Sequence, residues 1–183
     1  MRVLFDDFVH TEFHLFFLGG QEADAVGYGR DGQVNGLCGA AEPGNLIFTT
    51  GLHTGNVPLR IERHDTEPPL GEMWPDVVEA SFTPVDPDVW LVSSSSPPVA
   101  LALEQGTYRA RYCAIGFDNE DQLTDDPPER YLVQFWPAPA APDRIVRQTS
   151  PGAAHWHGTA QRTLAAPAAG RDPAERNVST HVI

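Results

Sequence analysis

Two stretches decide the fold: Tyr108-Arg109-Ala110-Arg111-Tyr112-Cys113-Ala114-Ile115 and Tyr131-Leu132-Val133-Gln134-Phe135-Trp136. In the first, Tyr108, Ala110, Tyr112 and Ala114 alternate with Arg109, Arg111, Cys113 and Ile115; in the second, Tyr131, Val133 and Phe135 alternate with Leu132, Gln134 and Trp136. A period of two sends successive side chains to opposite faces of an extended strand. The two segments are therefore predicted to pair antiparallel as central strands, joined by the acidic loop between them.

The same reading extends toward the N-terminus. Val3, Phe5 and Phe8, then Phe13 and the run Leu15-Phe16-Phe17-Leu18, suggest two neighbouring strands, the second ended by Gly19-Gly20. Residues 27–44 are Gly-rich and read as a long loop with at most one short strand. Residues 46–50 form a short β-rich run. Val57, Leu59 and Ile61 alternate with Pro58, Arg60 and Glu62, and a proline there argues for an edge strand. Val78, Ala80 and Phe82 mark a further one-faced strand. Short strands at 89–92 and 99–103 flank four serines and Pro97-Pro98.

Gly (16) and Pro (17) are both abundant in the 183 residues, which suits many short strands joined by turns rather than helices. Eight or nine strands without a convincing amphipathic helix predict a mostly β protein, a two-sheet antiparallel β-sandwich with jelly-roll character. Pro137-Ala138-Pro139-Ala140-Ala141-Pro142 stops the last strand. The division expected is a β-sandwich domain over 1–149 and a mildly basic, flexible tail over 150–183.

Charge is unevenly spread. The formal net charge is −13, and residues 1–143 hold 23 acids and 7 arginines, a balance of −16, whereas residues 144–183 carry +3. Such a body repels nucleic-acid phosphates and anionic lipid and is steered toward basic protein surfaces. All 12 basic residues are arginine, the side chain suited to bidentate carboxylate pairing. No run of about 18 apolar residues offers a membrane span. Asp6 and Asp7 interrupt the stretch where a secretory signal needs an apolar core, and Cys38 and Cys113 read as two reduced thiols, so a cytoplasmic protein is expected.

The densest carboxylate cluster lies between the two central strands: Asp118, Glu120, Asp121, Asp125, Asp126 and Glu129, with no base among them. These six are the candidate partner-binding residues. The calcium-loop pattern is not met, because no turn glycine falls within the ligand run, so no metal is assigned to them. His10 and His14 lie four apart; on one strand they would sit roughly 13 Å apart, too far to share a zinc ion. His155 and His157 form another spaced pair, which His53 or His64 would have to complete. Trp74, Trp90, Trp136 and Trp156 suit either core and rim packing or a platform for sugar stacking. No G-x-S-x-G, Cys-His signature or phosphate loop is present, which argues against familiar catalysis and leaves no cofactor or catalytic residue to assign.

Gly106-Thr107-Tyr108-Arg109-Ala110-Arg111, followed by Glu129-Arg130-Tyr131-Leu132-Val133-Gln134-Phe135-Trp136-Pro137, resembles a group of uncharacterised bacterial single-domain proteins in which a G-x-Y-R-x-R strand precedes an E-x-Y-L-x-Q-x-W-P strand. More distantly it is similar to the ComJ-type competence nuclease inhibitors. That resemblance implies a β-sandwich that blocks a nuclease, or another toxin, with an acidic surface; the matched residues are strand and turn framework, and no inhibitory residue carries over. The function expected is an acidic protein-binding module, an inhibitor or immunity-type partner of a basic protein. The alternatives are a jelly-roll domain binding carbohydrate or a divalent metal, and a small enzyme of unrecognised type.

Overall fold

The computed structural model describes residues 1–25, 29–30, 32–39, 42–118 and 128–165. Eleven strands and one α-helix follow in order, with a single 3-10 turn (Ala23–Ala25) between the second and third strands: β1 (Arg2–Thr11), β2 (Leu15–Gly19), β3 (Cys38–Gly39), β4 (Leu46–Thr49), β5 (Gly55–Arg63), β6 (Asp76–Phe82), β7 (Val89–Ser93), β8 (Ser96–Leu101), β9 (Tyr108–Ile115), β10 (Arg130–Pro137), β11 (Arg144–Arg147) and α1 (Pro151–Ala165). A six-stranded sheet in the order β1-β5-β10-β9-β6-β11 faces a five-stranded sheet in the order β3-β4-β2-β7-β8. The architecture is the mostly β, two-sheet sandwich expected, with a single parallel pair, β5 with β10, among the named strands.

β9 and β10 do pair antiparallel at the centre of the larger sheet, with Tyr131 opposite Ala114 and Val133 opposite Tyr112. Their inward faces meet Val57, Leu59, Ile61, Val78 and Phe82 in one continuous core with Phe16 and Phe48 of the smaller sheet. Phe16 stacks on Phe48 at 4.7 Å and Tyr112 on Tyr131 at 5.4 Å between ring centroids, so aromatic pairs fill the space between the sheets.

Three local readings differ from the sequence expectations. β1 and β2 are consecutive but belong to different sheets, and the chain changes sheet at Phe13-His14. β5 is an interior strand, between β1 and β10. Pro58 is tolerated because the parallel ladder with β10 runs only from Leu59 to Arg63; at Pro58 itself β5 has a neighbour on the β1 side alone. Finally, residues 151–165, expected in a tail without regular structure, form α1. Ser150 caps it, its Oγ accepting the Ala153 N–H at 3.1 Å, and Pro151 occupies the first helical position, where its missing N–H costs nothing. Ala153, His157 and Ala160 form the buried face of α1. Gly36 allows close contact there, since a Cβ at that position would lie 2.1 Å from the Trp156 carbonyl oxygen. Residues 166–183 of the expected tail lie outside the described residues.

Candidate functional site

One end of the sandwich gathers the β1–β2 turn, the β4–β5 connection, both roots of the β9–β10 loop and the start of α1. Of the six carboxylates proposed from the sequence, Glu120, Asp121, Asp125 and Asp126 lie outside the described residues, and Asp118 and Glu129 frame them. Asp118 is exposed, and its Oδ1 accepts the Gly152 N–H at 2.7 Å in the first turn of α1, where backbone amides favour negative charge. Glu129 is not a surface group. It is fully buried, receives a hydrogen bond from the Tyr131 hydroxyl, and lies beside Gly51, whose N–H donates to that same hydroxyl at 2.8 Å. Burial raises the Glu129 carboxyl above its ordinary range, more than the Tyr131 hydrogen bond lowers it. The inward turn has a simple cause: Glu129 stands two residues before Tyr131 and shares the parity of Tyr131, Val133 and Phe135, all inside. It anchors the base of the loop instead of offering its charge to a partner.

Beside the loop, Phe13 and His14 occupy a two-residue turn with φ of 55° and 67°, closed by Glu12 and Leu15, whose amides donate to each other's carbonyls at 3.3 and 3.0 Å. This is the left-handed hairpin geometry that Asn-Gly ordinarily fills, and non-glycine residues in it cost about 1–2 kcal/mol each. Tertiary contacts hold it. The His14 N–H donates to the His53 carbonyl at 2.9 Å, and the Thr50 N–H donates to the His14 carbonyl at 2.8 Å. The His14 ring is edge-on to His53 at 4.8 Å and to Trp156 at 5.3 Å. Burial, together with His53, keeps His14 below the usual histidine range. Phe13 remains 66% exposed at the tip.

The histidine pairs weighed from the sequence are dispersed. His10 contacts Asn56, His155 is exposed against Trp156, and His157 is buried with Nδ1 accepting the Gly36 N–H at 3.0 Å. No group of three metal-ligating side chains occurs among the described residues. The tryptophans divide as well: Trp136 is buried beneath Arg111, 4.9 Å from guanidinium carbon to ring centroid, whereas Trp74 lines a groove of about 470 Å³ with Phe8, Met73, Arg60 and Arg130.

The arginines of the G-x-Y-R-x-R strand serve the outer face of the larger sheet. Glu79, 1% exposed, accepts Arg111 Nε at 3.0 Å, Arg109 Nε at 3.2 Å and Arg144 Nε at 2.9 Å. Arg111 also donates to the Pro68 carbonyl and to Glu67, both at 2.7 Å, and Arg109 to the Ala141 and Pro142 carbonyls. Burial alone would raise the Glu79 carboxyl; hydrogen bonds from Arg111 and Arg109 hold it below its ordinary range. Glu62, separated from Glu79 across the sheet by Gln134 of β10 and Arg111 of β9, is bonded by Arg60, His64 and Gln134. Sequence reasoning had not paired these groups, because their covering segments come from residues 64–75 and 137–143, far away in the chain.

With this geometry in view, comparison with known proteins gives a fold and no family. No family model matches the chain, and no curated protein matches it. Among solved structures, ComJ from Bacillus subtilis, an inhibitor of the DNA degrading activity of NucA, is similar with a TM-score of 0.52 and 12% identity, over 75% of this chain and 98% of that one. The chain has a ComJ-like fold. The product of crocagin biosynthetic gene J is similar with a TM-score of 0.50 and 10% identity, over 75% of this chain and 98% of its own. The likeness to ComJ agrees with the distant resemblance at the level of the fold, while no family carrying the G-x-Y-R-x-R and E-x-Y-L-x-Q-x-W-P strands is shown.

Proposed function

We propose that this chain is an inhibitor-type protein-binding module whose carboxylate-rich end engages a basic protein, with a DNA-degrading nuclease as the partner class. The observation that carries this reading is the disposition of charge. Arg109 and Arg111 are buried on Glu79, and Arg60 and Arg63 are engaged with Asp6, Glu62 and Asp65, so exposed carboxylates outnumber exposed arginines among the described residues. A negative surface of that kind speeds encounter with a cationic partner and disfavours anionic ones. Residues 118–129 carry five carboxylates besides the buried Glu129, and Phe13, at the same end of the sandwich as the roots of that segment, is an exposed aromatic of the type that anchors interfaces. That ComJ inhibits the DNA degrading activity of NucA supports a nuclease as the first partner to try.

The test is inhibition of DNA degradation by a basic nuclease from the same host. The native chain inhibits it, and Asp121→Asn, Asp125→Asn and Asp126→Asn combined weaken inhibition about tenfold or more, equivalent to about 1.4 kcal/mol, with thermal unfolding unchanged. Equal inhibition by both proteins, or none by the native chain, contradicts the reading.

A further inference from the structure

On the outer face of the smaller sheet, a groove of about 270 Å³ runs between the β1–β2 turn and α1. Two aromatic rings, Phe13 and Trp156, line it together with Leu15, Ile47, Thr49 and Arg30. Among the buried or half-buried arginines described, Arg60, Arg63, Arg109 and Arg111 each meet a carboxylate, whereas Arg30 and Arg147 form no ion pair. Arg147 turns to the Gly71, Glu72 and Trp74 carbonyls, and of the two only Arg30 lines this groove. Its hydrogen bonds run to neutral oxygens, Thr49 Oγ1 at 2.8 Å and the Gly39 carbonyl at 3.4 Å. A guanidinium offers five N–H donors, and among the described residues these two bonds engage two of them. Withdrawal from water lowers its pKa to about 10.

A cation taken out of water without a counter-charge is costly, and a planar guanidinium is best satisfied by a carboxylate in bidentate contact. The groove supplies the rest of the description. It is short for a drug-sized ligand, for which about 300 Å³ is the lower bound, and it is lined by two rings. One of them is held by the left-handed Phe13-His14 turn, which asparagine and glycine would form more easily, so the positioning of the Phe13 ring is maintained against backbone preference. We propose that this groove binds a small aromatic carboxylate, its carboxylate on Arg30 and its ring against the Phe13 and Trp156 side chains that line the same groove. The inference shares only Phe13 with the protein-inhibitor reading and concerns an anionic small molecule on the outer face of the smaller sheet, so its titration needs no nuclease and either reading can fail without the other.

Calorimetric titration of the full chain with phenylacetate, its neutral isostere phenylacetamide, and acetate separates the contributions. Saturable one-to-one binding of phenylacetate is expected, with the amide and acetate each at least tenfold weaker, and the Trp156 indole N–H resonance shifting with the same isotherm. Arg30→Met should weaken phenylacetate at least tenfold and leave phenylacetamide unchanged. The comparison of ligands on the native chain stands even if that variant fails to fold. No saturable binding of phenylacetate, equal binding of the amide, or equal binding of acetate overturns the proposal, as does native affinity in a folded Arg30→Met variant.

Discussion

Glu79 holds three arginines while 1% exposed, and its worth lies in what its removal would strand. Glu79→Gln keeps the shape and removes the charge, leaving Arg109 buried without a counter-ion and Arg111 with only the exposed Glu67, so a loss of about 3–5 kcal/mol is expected in urea denaturation at neutral pH. The Glu79 carboxyl lies below its unfolded value; its contribution is therefore full above the ordinary carboxylate range and is lost as pH falls through the lowered folded value, so the gap to the variant closes in acid. Glu129 behaves in the opposite sense. Its folded pKa is raised, so its stabilising contribution is present below the unfolded value and is lost as pH rises through the folded one. Glu129→Gln should accordingly raise the Tm at pH 8 relative to the native chain, and the difference should vanish near pH 4; a variant less stable at pH 8 would contradict the buried position. At this scale the sequence was partly legible. The parity that put Tyr131 inside also put Glu129 inside, whereas nothing local to Arg109 and Arg111 revealed the loops that bury them.

At the scale of elements, the strands were readable wherever one face was apolar, and β9 and β10 were readable in position as well. The helix was not, for a physical reason. Its buried face is Ala153, His157 and Ala160, at i, i+4 and i+7, and contains no large apolar side chain, so hydrophobic periodicity is silent there. The Ser150-Pro151 pair was a start signal in the sequence all the same. α1 sits close because Gly36 lacks a side chain. Gly36→Ala should force a Cβ into the Trp156 carbonyl and cost about 1–3 kcal/mol by overpacking, with loss of amide-exchange protection concentrated in residues 153–162. Uniform loss across both sheets would mean that the helix is no separate contact. The β1–β2 turn escaped notice for the converse reason: Phe13-His14 carries none of the residues that announce a hairpin, and tertiary contacts impose a conformation that local preference opposes.

Among the described residues, the buried Glu62 and Glu79 take up Arg60, Arg109, Arg111 and Arg144, Asp76 and Glu129 are buried as well, and most of the other carboxylates are exposed. Charge totals were legible from composition; this sorting was not, because it depends on which strands share a sheet face and which loops cover it. The sorting gives the account its central claim, that a negative end of the sandwich steers a basic protein onto itself. The most direct test is the association rate with a basic host nuclease, measured by stopped-flow mixing from about 0.05 to about 0.5 M salt, a range over which the screening length falls severalfold. The account predicts a rate that falls steeply with salt for the native chain, and a slower, flatter dependence for the chain carrying Asp121→Asn, Asp125→Asn and Asp126→Asn. Identical salt dependence in the two proteins would contradict it.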